Sequence, residues 1–156
     1  MVKTILLVGL GLLLIQTTAE AKNSGNLPKD AVPMTTDDIK AILSGNSIDY
    51  GVAKYYFAPD GKLVALGKGP SFAEGTWTVT GNTWCLDSVW HGPDKAKSDK
   101  YAQCNEKYKV GTKIFTKNTK GEEQYLGDVS TDQEKKMRRG DIVSVSVEKI
   151  KKQLGY

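Results

Sequence analysis

The stretch Gly75-Thr-Trp-Thr-Val-Thr-Gly-Asn-Thr-Trp-Cys85 decides the fold. Large and polar residues alternate on both sides of Gly81-Asn82, and a period of two marks a strand whose faces differ. A two-residue Gly-Asn turn fixes the register of the hairpin, with Thr80 opposite Thr83, Val79 opposite Trp84 and Trp77 opposite Leu86. Trp77, Val79, Trp84 and Leu86 then share one face, and Thr76, Thr78 and Thr80 take the other. Cys85 falls on the face away from Trp84.

Upstream of the hairpin, Tyr50, Val52 and Tyr55 to Phe57 predict a strand that ends at Ala58-Pro-Asp-Gly61, a sequence suited to a type I turn followed by a glycine bulge. Lys62 to Gly67 returns as a short strand. Gly67-Lys-Gly-Pro-Ser71 then interrupts the ladder, because proline cannot donate to it. Downstream, His91 to Lys100 reads as a polar loop and Tyr101 to Val110 as the partner strand. With Cys85 opposite Cys104, Trp90 faces Asp99 and residues 91 to 98 form the loop. A tight turn at Val110 to Lys113 places Tyr108 against Phe115, and Asn118 to Gly121 closes a further hairpin onto Gln124 to Val129.

Helical signals flank this region. Met34 to Asn46 carries a threonine cap, acidic first-turn residues, Ile39, Ile42 and Leu43 on one face, and Gly45 as stop. Ser130 to Glu134 reads as a capping box, with Gly140 ending a basic helical turn. Ile142 to Val147 alternates like a last strand, and Glu148 to Leu154 is helical or frayed. The expected fold is therefore mainly β: an antiparallel meander or small barrel of about 6–8 strands, with a short N-terminal helix and a basic C-terminal helical segment.

Lys3, the apolar run Ile5 to Ile15 and Ala19-Glu20-Ala21 have the order of a secretory signal peptide. The run is well short of the ~20 residues a spanning helix needs, so no stable membrane span is expected. The expected division is a signal peptide over 1–21, a flexible Asn-, Gly- and Pro-rich arm over 22–33, and a single β-rich domain over 34–156. A periplasmic or secreted location follows. The only two cysteines, Cys85 and Cys104, both lie in the exported part, and an even count in an oxidising compartment reads as one disulfide. Free thiols or a metal pair are the alternative; a four-ligand metal site would need more than the lone His91 supplies.

The net charge is +4, with basic residues crowded toward the end of the chain. Such an ending suits a solvated helix face or peripheral contact with an anionic surface. Export without a reader motif argues against nucleic acid.

Catalytic chemistry is sparse. Any Ser-His-Asp arrangement must use His91, which sits in a loop beside Gly92, Pro93 and Asp94. Asp37-Asp38 and Glu122-Glu123 are neighbours in sequence and point apart, so neither makes a facing carboxylate pair. Gly67 to Ser71 lacks the spacing of a phosphate loop, and no cofactor is implied. Aromatic residues could line a pocket or stack on a sugar, although core packing is their commoner fate. Trp90, His91 and Tyr101 are the candidate ligand contacts.

Leu43 to Asn46 (LSGN), Tyr55 to Gly61 (YYFAPDG), Gly75 to Cys85 and the second cysteine Cys104 resemble, in that order, the small exported proteobacterial proteins grouped as a domain of unknown function. The likeness spans Met34 to Val129, and the basic ending after Ser130 departs from it. Its motifs are turn glycines, core aromatics and cysteines, so it implies fold and export and carries over no catalytic residue. A looser likeness is to lipocalin-like barrels, through Gly75-x-Trp77, although there the motif sits near the start of the barrel and here it follows two predicted strands.

The function expected from these features is a non-catalytic, exported binding module of the bacterial envelope, taking a small ligand, a glycan or an envelope protein. Two alternatives stand beside it. One is a structural or inhibitor protein docking a partner through its basic end. The other is a hydrolase or lyase built on His91 with Asp87 and Asp94.

Overall fold

A computed structural model describes residues 27 to 118 and 136 to 156. The expected signal peptide, the strand expected at Gln124 to Val129 and the capping box expected at Ser130 to Glu134 lie outside the described residues. Within them the elements are β1 (Val32–Pro33), α1 (Thr36–Leu43), β2 (Asn46–Asp49), β3 (Ala53–Phe57), β4 (Lys62–Gly67), β5 (Phe72–Thr80), β6 (Thr83–His91), β7 (Ser98–Val110), β8 (Lys113–Asn118), β9 (Met137–Arg139) and α2 (Ser144–Leu154). The nine strands form one antiparallel sheet that curls into a half-barrel.

The register of the central hairpin is the one its alternation dictates. Thr80 pairs with Thr83, Val79 with Trp84 and Trp77 with Leu86. Cys85 pairs with Cys104 and is bonded to it, and Trp90 lies opposite Asp99. The strands run into the expected loop as far as His91 and Ser98, so the connection is shorter than expected. Tyr108 meets Phe115 across the next turn.

β8 and β6 lie on opposite edges of β7, since Asn105 and Glu106 pair with both. β1 continues the line of β6 on the same edge, with Pro33 opposite Tyr108.

The inner face of the curl holds the main core: Ile48, Phe57, Leu63, Trp77, Trp84 and Leu86 from the sheet, covered at one end by Ile39 and Leu43 of α1. The helix starts where the sequence places it. The Thr35 hydroxyl accepts from the Asp38 N–H and the Asp38 carboxylate accepts from the Thr35 N–H. Phe57 meets Trp77 and Trp84 edge-on at 5.6 and 5.8 Å, and the indole N–H of Trp77 donates to the Ala58 carbonyl at 2.8 Å.

Small residues allow the curl. Ala65 and Ala73 stand in one cross-strand row between Tyr55 and Trp90. Three strand spacings would separate those rings by about 14 Å on a flat sheet. Their centroids are 6.2 Å apart, so they lean over the two alanines and touch. In the next row Gly75 passes so close to β6 that a Cβ there would lie 2.0 Å from the Asp87 carbonyl oxygen.

Three further segments differ from the sequence expectation. Of the strand expected from Tyr50 to Phe57 only Ala53–Phe57 is strand; Tyr50 to Val52 form the turn from β2, because the Asp49 carboxylate accepts from the Gly51 N–H and Gly51 takes a φ of +78°. The basic helical turn expected before Gly140 is β9, paired to β2 with Ser47 opposite Arg138.

Ile142 to Val147, expected as a strand, instead leads into and opens α2. The Asp141 carboxylate accepts from the Val143 and Ser144 N–H groups, and Val143 and Val147 pack with Phe72 in a second core on the outer face of the sheet, joined by Ile150 and Leu154. A four-residue step puts Val143 and Val147 on one helical face. The serines between them produced the false period of two.

Candidate functional site

Alternation along β7 puts Tyr101, Gln103, Asn105 and Lys107 on the inner face, opposite Ser88, Leu86 and Trp84 of β6. With Tyr55 and Phe57 of β3 and Ile48 of β2, these side chains enclose a cavity of about 530 Å³ at the end of the half-barrel away from α1. That volume lies in the range of small-molecule sites, roughly 300–1,000 Å³. Its walls are chiefly aromatic and aliphatic, with one polar row.

The row has a depth gradient. Tyr101 is 41% exposed, whereas Asn105 and Lys107 are 4% and 5% exposed. Tyr50 and Val52, also exposed, complete the mouth, and Lys136 lies 5.5 Å over the Tyr50 ring. The Tyr101 hydroxyl donates to the Gln103 carbonyl, and the Gln103 amide donates to Asn105 Oδ1 at 3.2 Å.

At the floor Lys107 Nζ donates to Thr116 Oγ1 at 2.7 Å, and no carboxylate among the described residues pairs with it. Burial lowers its amine to about 8. The indole N–H of Trp84, which lines the same cavity, is buried without a hydrogen-bond partner among the described residues. Burial, the largest influence, also pushes the Tyr55 phenol up to about 12.

Of the residues expected as ligand contacts, Tyr101 lines this cavity. It also lines a smaller one, of about 450 Å³, with Trp90, His91 and the 92–97 loop. The three residues are thus neighbours, although Trp90 belongs to the inner face and His91 to the outer.

His91 stacks on Phe72 at 5.0 Å and meets Tyr156 at 5.2 Å. Asp94 is occupied within its own loop, accepting from the Ala96 N–H and pairing with Lys97 at 3.2 Å. No metal-ligating cluster occurs among the described residues. In the basic ending, Lys151 pairs with Glu74 at 2.9 Å, which ties α2 to the sheet. Among the described residues no helix is long and apolar enough to cross a membrane.

A family model described as "Protein of unknown function (DUF995)" matches residues 11 to 143. The chain belongs to this family. The DUF995 match runs past Ser130 and takes in β9 and the start of the α2 cap, so the basic ending lies partly within the family's span. No curated protein and no solved structure matches the chain.

In this DUF995 chain the sequence reading missed Lys107. A lysine within Asn105-Glu-Lys-Tyr-Lys109 looks solvated. The signal that would have found it is the register: Trp84 opposite Asn105 puts Lys107, two residues on, on the core side.

Proposed function

We propose that the protein is an exported, non-catalytic binding module of the bacterial cell envelope, periplasmic or secreted, which holds a small, largely apolar ligand in the mouth of its half-barrel. The observation that carries this reading is the 530 Å³ cavity, with aromatic walls and a single row of polar side chains. Sites for small molecules combine an apolar lining with a few placed polar groups. Export is supported by the signal-like start of the chain and by the Cys85–Cys104 bond, which suits an oxidising compartment. Tyr101, at the rim of both cavities, is the ligand contact in the larger one; Trp90 and His91 serve the smaller.

The test is binding of the neutral dye Nile red to the purified, oxidised protein. One equivalent should bind with a blue shift in emission, and Ala53→Trp, which fills part of the cavity, should abolish binding with an unchanged circular dichroism spectrum. Failure of the wild type to bind, or equal binding by the filled variant, would remove the cavity as the site.

A further inference from the structure

We infer that the floor of this cavity is an oxyanion site, in which Lys107 and the Trp84 indole N–H receive the carboxylate of a linear amphiphile whose apolar body runs past Leu86 and Tyr55 to the mouth. This rests on the ligand-binding reading above and adds the chemistry of the ligand's head.

Two independent observations meet at the floor. Lys107 carries three donor hydrogens, and among the described residues its Nζ has one neutral partner, Thr116 Oγ1. Buried ammonium groups are normally paired with a counter-charge, and among the described residues no carboxylate lines the cavity. Trp84 supplies the second: buried indole N–H groups normally find an acceptor, and this one has none. Trp84 lies directly opposite Asn105 and diagonal to Lys107 on the same face of the sheet, so both side chains line the same end of the cavity.

The rest of the polar row agrees in sign. Gln103 donates to Asn105 Oδ1, and the Asn105 side-chain amide adds its own N–H donors to the row. The lysine and the indole are donors only and the amide adds two more N–H groups, which favours an anion over a cation or an alcohol. Burial lowers the Lys107 amine only to about 8, so the group is still mostly protonated at neutral pH. The geometry also sets the ligand's direction. Charge is deepest and the aromatic rim outermost, so the head enters first and the tail points to solvent.

The experiment displaces Nile red from the full protein with dodecanoate, dodecyl phosphate, dodecanol and dodecyltrimethylammonium. Dodecanoate should compete at least about tenfold better than dodecanol, and the ammonium amphiphile worst of all. Lys107→Met should bring dodecanoate to within about twofold of dodecanol while leaving dodecanol unchanged, and Trp84→Phe should weaken dodecanoate selectively. If Lys107→Met does not fold, the wild-type series with Trp84→Phe decides.

Equal competition by dodecanoate and dodecanol in the wild type would overturn the oxyanion site while leaving the cavity as a ligand site. Stronger competition by dodecyl phosphate would overturn the carboxylate assignment in favour of a phosphate head. Absence of Nile red binding would overturn this inference together with the function it rests on.

Discussion

Lys107 shows how one side chain can be fixed by strand parity and yet stand against its own chemistry. Its amine falls from the ordinary 10.5 to about 8 because burial disfavours the charged form. Below about pH 8 the native state carries a buried charge; between about 8 and 10.5 the unfolded chain binds more protons, so stability rises with pH across that window. The full difference is on the order of 3 kcal/mol.

Tyr55 acts in the opposite sense. Its phenol is raised from 10.0 to about 12, so its contribution is present below pH 10 and is lost as pH climbs toward 12. Tyr50, Tyr101 and Lys136 also face the cavity, and comparison with a variant cancels their shared effect. Urea unfolding of ligand-free protein should find Lys107→Met more stable than the wild type at pH 7, with the gap narrowing by about 2 kcal/mol as pH rises to 10. A gap independent of pH would mean that the lysine's charge is not what burial penalises.

At the scale of elements, α2 is the segment that alternation misread, and it offers a direct test. On a strand Val143, Val145 and Val147 would share one face; on the observed helix Val147 is 1% exposed and Val145 is 86% exposed. Val145→Lys should change stability by no more than about 0.5 kcal/mol, as a surface substitution does. Val147→Lys should cost at least about 3 kcal/mol, because it places an unpaired charge against Phe72. Equal effects in thermal melts would return the segment to a strand.

The β6–β7 pair permits a second test. Its disulfide lies on the face away from Trp84 and Lys107, so it ties the cavity wall from outside. Replacing both cysteines by serine should lower stability by about 2–5 kcal/mol, acting largely through the unfolded chain, and leave Nile red binding intact once the protein is folded. Two alkylatable thiols in the native, non-reduced protein would refute the bridge and the pairing of these strands.

For the molecule as a whole, the readable part was the central hairpin and the strand pairings that its period and turn dictate. Gly81-Asn82 and the alternation around it place Trp77, Val79, Trp84 and Leu86 on one side, and Cys85 opposite Cys104 then follows. Depth was not readable. Whether Lys107 is solvated or buried depends on how tightly the sheet curls and on what β8 and β3 bring across the mouth, which no local pattern records. Gly75, Ala65 and Ala73 carry that information as missing side-chain volume, and small residues in a strand look like nothing in a hydropathy pattern.

The contact between Tyr55 and Trp90 over those alanines has a kinetic consequence. A closed barrel joins its walls with backbone ladders, and opening one means breaking a row of hydrogen bonds together. Here the inside of the curl is bridged by two aromatic rings from β3 and β6, both only partly buried, and rotation about their side-chain bonds breaks no ladder. Ring and rotamer motions of that kind are fast compared with strand separation. The Tyr55–Trp90 contact can therefore open and close by side-chain rotation many times within the lifetime of the folded sheet.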